Sequence, residues 1–248
     1  MGWTERQRRM LAEMGLAVWT PPEPAGEAPV TGLPRAAAES LAPPPALEAP
    51  PRAEASPVGL MDWPALREAV SQCRACRLCE GRRNTVFGVG NERAHLMVVG
   101  EAPGEQEDRK GEPFVGPAGQ LLDSMLRALG LTREAAEPAR QVFIANTLKC
   151  RPPGNRNPEP DEMVKCEPFL KRQLALVQPR VILAMGRFAV QALLRSNEPI
   201  GRLRGRVHTY EGVPLVVTYH PAYLLRNLPD KAKAWDDLCL AGTLLGAQ

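Results

Sequence analysis

The sequence predicts an α/β fold, a three-layer α/β/α sandwich in which a mostly parallel sheet of roughly four strands lies between layers of helices. Two observations support this prediction. Apolar runs of strand length alternate with segments of helical periodicity along most of the chain, as in parallel sheets with crossover helices. In addition, residues that can take part in acid–base chemistry or hydrogen bonding follow the first and last of these runs, at Glu101 and His220. Such strand ends form the ligand-binding edge of an open α/β sheet.

Length and composition limit the class of protein. The chain has 248 residues and a formal net charge of +3, which suits one domain with appendages. No apolar stretch is long enough to cross a bilayer, and the polar N-terminus lacks the apolar segment of a secretory signal. We therefore expect a cytoplasmic protein. In a reducing cytosol its 6 cysteines are better candidates for metal binding than for disulfides.

The first part of the chain differs in composition from the rest. Residues 1–19 contain a short helical pattern that includes Met10 and Met14. Residues 20–57 are rich in Pro and Ala, which predicts a disordered, extended linker. We expect the short helix to be either a frayed terminus or a peptide that docks a protein partner. The folded domain is expected to cover residues 58–248.

Strand and helix patterns then alternate through the predicted domain. Strands are predicted at residues 95–99, 142–145, 181–184 and 213–217. Helices are predicted at residues 60–72, 121–129, 161–176, 187–194 and 231–245. The strand runs are almost wholly apolar, as expected for strands covered on both faces, and the helical segments repeat apolar residues at helical spacing.

The cysteines combine one tight pair with two distant residues. Cys73 and Cys76 form a C-x-x-C pair, Cys150 follows the second predicted strand, and Cys166 lies in the next helix. Four thiolates suit zinc or an iron–sulfur cluster, and the wide spacing of the second pair favours a [4Fe–4S] cluster. Cys79 could compete as a ligand. The sixth cysteine is explained as a small buried apolar side chain.

Several separated motifs stand in order along the chain. They are Gly100-Glu-Ala-Pro-Gly-Glu-Gln-Glu-Asp108, Phe114-Val-Gly116, Asn146, Lys149-Cys-Arg-Pro-Pro153, Asn155-Arg156 with Pro158, and His220-Pro-Ala-Tyr-Leu-Leu-Arg226. Together they resemble the family 4, iron–sulfur uracil-DNA glycosylases. The resemblance extends from about Leu60 to Leu240 and implies an α/β/α fold and removal of uracil from DNA. It also implies a [4Fe–4S] cluster with the ligands Cys73, Cys76, Cys150 and Cys166, leaving out Cys79 and Cys239.

The residue types fit the recognition and release of uracil. Gly100, Phe114 and Asn146 are the expected substrate-binding residues, and Phe114, in a glycine-flanked loop that we expect to be exposed, offers a flat apolar surface for the base. The amide of Asn146 can accept a hydrogen bond from the uracil ring N–H and donate one to a uracil carbonyl, which cytosine would not satisfy. His220 is the candidate donor to uracil O2, where negative charge develops as the N-glycosidic bond breaks. His95 and His208 are interpreted as ordinary residues.

The first motif departs from related glycosylase families, which carry an Asp at the position of Ala102. The family 4 pattern also lacks this Asp, so activity is not excluded. We expect the attacking water to be held by the backbone around Ala102 or by the carboxylate of Glu101 or Glu107. Some families block thymine with an aromatic residue, which is Gly104 here. The resemblance suggests that Glu107 excludes the 5-methyl group instead.

Contacts with DNA are predicted from an apolar wedge and from cations. The resemblance places Leu224, Leu225 and Arg226 in a loop that enters the duplex, where an apolar side chain can unstack a base step. Phosphate contacts fix a duplex without recognising its sequence. They are expected from Arg202, Arg204, Arg206, Lys149 and Arg151.

We therefore expect a monomeric, monofunctional repair enzyme that acts on uracil in single- or double-stranded DNA and associates with the nucleoid when bound. One alternative is a non-catalytic uracil-DNA-binding protein or polymerase-associated clamp of the same fold. A covalently trapping relative is disfavoured, because no His lies between Cys150 and Cys166. A redox protein is disfavoured because the sequence lacks a Gly-rich dinucleotide turn.

Overall fold

A central sheet organises residues 57–246, the part of the chain that the computed structural model describes. The helix predicted in residues 1–19 and the predicted linker, apart from Pro57, lie outside the described residues. The strands are β1 (Val89–Gly90), β2 (Leu96–Gly100), β3 (Phe143–Asn146), β4 (Val181–Met185), β5 (Val207–Tyr210) and β6 (Val213–Thr218). Within residues 57–246 they form one 6-stranded sheet in the order β1-β3-β2-β4-β6-β5.

The four predicted strands form the parallel centre of this sheet. β3, β2, β4 and β6 pair in parallel, whereas β1 and β5 pair antiparallel at the two edges. The prediction of four strands therefore missed two edge strands. β1 has 2 residues and β5 alternates exposed with half-buried side chains, so neither carries the continuous apolar run of a buried strand.

Helices cover both faces of the sheet, which confirms the predicted three-layer architecture. They are α1 (Trp63–Ser71), α2 (Leu78–Gly81), α3 (Glu105–Lys110), α4 (Pro117–Ala128), α5 (Pro160–Val177), α6 (Arg187–Leu194), α7 (Ile200–Leu203), α8 (Pro221–Leu224) and α9 (Asp230–Leu245). One apolar core joins α1, α5 and α6 to the sheet, and a second joins α4 and α9 to the opposite face. None of the helices in residues 57–246 is both long and apolar enough to cross a membrane.

Strand residues alternate between these two cores. In β2, Met97 and Val99 belong to the first core, while Leu96 and Val98 belong to the second. All five β2 residues are buried, as expected for a central parallel strand. The same alternation in β4 explains why both strands are apolar throughout.

The strand order creates a crevice at the carboxyl edge of the sheet. From β2 the chain crosses to β3 on one side and then returns to β4 on the other. Loops that leave neighbouring strands in opposite directions open a crevice at such a switch point. Gly100 and Asn146 are paired in register at this edge, and Thr218 ends β6 beside Met185.

Candidate functional site

A cavity with an empty volume of about 640 Å³ opens where the parallel strands end. It brings together residues that the sequence predicted from separate motifs. These are Glu101, Ala102, Glu107, Phe114, Asn146 and His220. The cavity wall also contains Asn155 and Arg156, which belong to quoted motifs but received no role from the sequence.

Gly100 and Asn146 lie in close contact at one wall of the cavity. A Cβ atom at Gly100 would overlap both Asn146 Oδ1 and the ring of Phe114. Glycine is therefore required for these two side chains to approach the end of β2. Asn146 is 2% exposed, and its Oδ1 has no hydrogen-bond partner among residues 57–246. An unpaired buried acceptor costs about 1–3 kcal/mol, so this oxygen favours a ligand that carries a donor.

The loop between α3 and α4 positions Phe114. Its backbone is left-handed, with φ 54°, which is uncommon for a bulky residue. The carboxylate of Glu107 fixes the loop, because it accepts hydrogen bonds from the Gly104 N–H at 3.1 Å and the Val115 N–H at 3.1 Å. The predicted exposure of Phe114 is wrong, since the residue is 4% exposed. Its ring is enclosed by Gly100 and by His220, with 5.3 Å between ring centroids and an interplanar angle of 27°.

His220 follows β6 and caps the N-terminus of α8. Its Nδ1 accepts a hydrogen bond from the Ala222 N–H at 3.2 Å. Burial lowers the pKa of His220 to about 4, so the imidazole is neutral at pH 7. With Nδ1 acting as acceptor, the proton of the neutral ring is on Nε2. Gly186, at the end of β4, leaves room for this ring, because a Cβ there would lie 3.1 Å from His220 Cβ.

Glu101 follows β2 on the floor of the cavity. Burial raises the pKa of its carboxyl group, and the nearby Arg187 partly offsets this effect. The Glu101 carbonyl accepts a hydrogen bond from the Leu148 N–H at 3.1 Å, which ties the first motif to the segment that carries the cysteines. Sequence reasoning missed Arg187. One feature of the sequence could have pointed to this residue, because it follows a glycine shortly after the strand predicted at residues 181–184.

A second, much narrower cavity lies between α5 and the segments that carry Cys73 and Cys150. Its wall includes the five cysteines Cys73, Cys76, Cys79, Cys150 and Cys166. Ala102 lines the first cavity and also packs in one apolar group with Cys76, Cys150 and Cys166, so it links the first cavity to the cysteine-bearing segments.

Polar donors point at two of these sulfurs. Arg82 donates from its guanidinium to Cys150 Sγ at 3.0 Å, and the Lys149 N–H donates to Cys166 Sγ at 3.3 Å. Burial raises the pKa of the Cys150 thiol and raises that of Cys166 to about 12. No three Cys, His, Asp or Glu side chains of residues 57–246 are grouped tightly enough to hold a single metal ion. Cys239 is exposed on α9, so its interpretation as a buried apolar side chain is wrong.

Lys149 does not lie on the DNA-facing surface. It is 2% exposed, and burial lowers its pKa to about 8. Its Nζ donates to the Asn146 carbonyl at 2.8 Å and to Gln173 Oε1 at 2.7 Å. The prediction that Lys149 contacts phosphates is therefore wrong.

The residues predicted to contact DNA fall into two groups. Leu224 is 1% exposed and packs in the core, and Arg204 donates to Asp237 Oδ2 at 3.0 Å with its side chain 16% exposed. One side chain is enclosed and the other anchors α9, and their predicted contacts with DNA stay predictions. Leu225 is 42% exposed. Arg202, Arg206 and Arg226 are also exposed. Arg151 is half-buried and lies 3.5 Å from a carboxylate oxygen of Glu105.

The sequence is similar to characterised families. Residues 87–239 match the family model described as the uracil DNA glycosylase superfamily. A type-4 uracil-DNA glycosylase of Archaeoglobus fulgidus is 44% identical over 189 residues, which are 73% of this chain and 92% of that protein. One of Saccharolobus solfataricus is 43% identical over 173 residues, 66% of this chain and 77% of that protein. A type-5 uracil-DNA glycosylase of Pyrobaculum aerophilum is 34% identical over 149 residues, 56% of this chain and 66% of that protein.

Proposed function

This chain belongs to the uracil DNA glycosylase superfamily, and on that premise we propose that it is a type-4 uracil-DNA glycosylase of DNA repair. It hydrolyses the N-glycosidic bond of uracil in DNA, releases free uracil and leaves an abasic site. The target base is flipped out of the duplex or taken from a single strand. The observation that carries the site assignment is the buried Oδ1 of Asn146, which is unpaired among the described residues.

Uracil supplies the donor that Asn146 lacks. The uracil ring N3–H donates to Oδ1, and uracil O4 accepts from the amide NH₂ of the same side chain. Cytosine presents an acceptor and an amino group at these positions, so both hydrogen bonds are lost. Each buried group left unpaired costs about 1–3 kcal/mol. The Phe114 ring forms the apolar wall of this uracil slot, the part of the cavity beside Asn146. Gly100 leaves space for the Asn146 amide and the Phe114 ring to lie there.

His220 stabilises the departing uracil. Negative charge develops on uracil O2 as the glycosidic bond breaks, and the Nε2–H of the neutral imidazole donates to that oxygen. The Ala222 N–H on Nδ1 fixes the tautomer and the ring orientation. A preorganised donor of this kind contributes about 2.7–4 kcal/mol to transition-state stabilisation.

The attacking water binds at the end of β2, held by the backbone around Ala102 or by the Glu101 carboxylate. Arg187 favours the charged form of Glu101. The Glu101 carboxylate can then accept a hydrogen bond from the water and stabilise the cationic sugar. Glu107 has a different role, because backbone N–H groups already occupy its carboxylate. It holds the Phe114 loop and forms the wall that excludes a 5-methyl group.

The exposed Leu225 enters the DNA and unstacks a base step, as apolar wedges do. Arg226 and Arg206 contact phosphates beside it, which orients the DNA without recognising its sequence.

The cysteine cavity would hold a [4Fe–4S] cluster, with Cys73, Cys76, Cys150 and Cys166 as the ligands. Two of these sulfurs accept hydrogen bonds from the protein, an arrangement that favours thiolates. Tetrahedral zinc would require the sulfurs within about 2.3 Å of one ion, whereas the larger iron–sulfur core keeps its thiolates further apart. The cluster cross-links α5 to the segments around Cys73 and Cys150, and hydrolysis of the glycosidic bond needs no electron from it.

Single-turnover assays on oligonucleotides with one uracil, single-stranded and duplex, test this proposal. Wild-type protein should release uracil and leave alkali-labile abasic sites, while matched oligonucleotides with cytosine or thymine stay intact. Asn146→Leu keeps the number of heavy atoms and the branching at Cγ but removes the amide, so excision should fall by about tenfold or more. The control Asn157→Leu, at an exposed Asn outside the cavity, should behave as wild type. An iron-containing wild type that releases no uracil would contradict the proposal.

A further inference from the structure

Lys149 is a buried cation that lies between the two cavities. Its Nζ donates to two neutral groups, the Asn146 carbonyl at 2.8 Å and Gln173 Oε1 at 2.7 Å. Gln173 is 0% exposed and donates to the Phe87 carbonyl at 2.9 Å, so its amide orientation is fixed. Within residues 57–246, no carboxylate forms an ion pair with Lys149.

A buried ammonium without an anion is costly. The groups that can supply the anion are the sulfurs of Cys166 and Cys150, whose negative charge would favour the charged form of Lys149. Cys150 is the next residue, and the Lys149 N–H itself donates to Cys166 Sγ at 3.3 Å. An oxidised [4Fe–4S] core with four thiolates is a net dianion. A cluster in this cavity would therefore give Lys149 a counter-charge that no carboxylate of residues 57–246 provides.

The same ammonium also contacts the strand end that carries Asn146. Asn146 is the last residue of β3, and its side-chain oxygen lies so close to Gly100 that a single Cβ there would overlap it. A small displacement of the Asn146 backbone would therefore move the amide out of the position required by uracil. The hydrogen bond from Nζ to the Asn146 carbonyl opposes such a displacement.

We propose that Lys149 is a positioning residue that couples the charge of the cluster to the recognition of uracil. The cluster holds the ammonium in place, and the ammonium fixes the strand end that carries the Asn146 amide. This inference rests on the proposed cluster and the proposed uracil slot.

Lys149→Met tests the coupling, because it keeps an unbranched apolar stem and removes the charge. We expect kcat/KM for uracil excision to fall by about tenfold or more, the loss of one charge-assisted hydrogen bond. Discrimination between uracil and cytosine should weaken. The midpoint potential of the cluster should become more negative, since a nearby positive charge no longer stabilises the reduced form. If Lys149 contributed only to folding stability, its replacement would leave the midpoint potential of the cluster unchanged.

Lys165→Met is the matched control. Lys165 also lines the cysteine cavity, but its ammonium is exposed and pairs with Asp161 at 2.8 Å. It makes no contact with Asn146 in the hydrogen-bond network of the described residues. Excision and base discrimination should equal those of the wild type, and the potential should change less because solvent screens the charge.

Wild-type excision, or a wild-type potential, in iron-loaded Lys149→Met would overturn the proposal. If that variant does not fold, Lys149→Gln replaces it, with the same two readouts and the same interpretation. If neither neutral variant loads iron, loading by Lys149→Arg would support the need for charge, and its failure would assign the residue to packing alone. Wild-type protein that lacks iron or excises no uracil would instead contradict the proposed function, so the two failures are distinguishable.

Discussion

Replacing His220 with Ala tests whether this side chain stabilises the leaving uracil. The substitution removes the Nε2–H donor, which is expected to lower the single-turnover rate by about 10²–10³-fold, or roughly 2.7–4 kcal/mol. It also removes the N-cap of α8, worth about 1 kcal/mol of folding stability, and the stacking contact with Phe114, about 0.5–1.5 kcal/mol. The rate and the stability should therefore both fall, for separate reasons.

His220→Asn separates these two effects. An Asn side chain can accept the Ala222 N–H as a helix cap, but it is too short to place a donor where Nε2 lies. Its stability should be closer to that of the wild type, while its excision rate stays low. His208→Ala is the distant control, because His208 lies on the edge strand β5 with its Nε2 at 2.7 Å from the Leu203 carbonyl. That variant should retain the wild-type rate.

The assay is single-turnover release of uracil from a single-stranded oligonucleotide, with the iron content and the melting temperature of each variant measured in parallel. DNA affinity is measured on an oligonucleotide without uracil and should be nearly unchanged in His220→Ala. Wild-type rates for His220→Ala with its iron content intact would refute the leaving-group assignment. The chemistry would then have to be sought among Glu101 and Glu107.

Three further predictions concern glycine, cysteine and pH. Gly100→Ala should lower excision by about tenfold or more, because its Cβ would displace the Asn146 amide oxygen; normal rates in a folded variant would argue against the slot. Cys73→Ser should reduce bound iron well below about four atoms per chain, whereas Cys239→Ser, at an exposed position, should leave the iron content unchanged. Burial lowers the pKa of His220 to about 4, below its unfolded value of about 6.5, so the unfolded chain binds this proton more tightly. The stabilisation from neutral His220 is present above pH about 6.5 and is lost as the pH falls toward about 4. Urea unfolding at pH values between these limits should show that the free energy of unfolding decreases less for His220→Asn than for the wild type as the pH falls.

The parallel centre of the fold and most of the cavity could be predicted from the sequence. Buried parallel strands need apolar residues on both faces, so β2 and β4 stand out as continuous apolar runs. Residues that follow such runs converge at one edge of the sheet, which is why Glu101 and His220 could be placed together. β5 could not be predicted in this way. It is an edge strand that pairs only with β6, and one of its faces is exposed, so its sequence lacks a continuous apolar run.

The roles of the cations depended on partners that sequence proximity does not reveal. Lys149 and Arg204 both resembled phosphate ligands, since each lies near a motif. In the folded chain Lys149 is enclosed beneath Asn146, while Arg204 pairs with Asp237, a residue of α9. Which of two adjacent leucines is exposed in the loop after β6 depends on helical geometry, because successive residues of a helix point about 100° apart.

The unpaired oxygen of Asn146 also has a consequence for turnover. The groups that satisfy it belong to the base and not to the sugar or phosphate, so the cleaved product retains them. We therefore expect free uracil to compete for the same slot, so that its accumulation slows each new cycle. Because a ligand that binds only the folded state adds RT ln(1 + [L]/Kd) to its stability, we expect the product that inhibits excision also to protect the protein from unfolding.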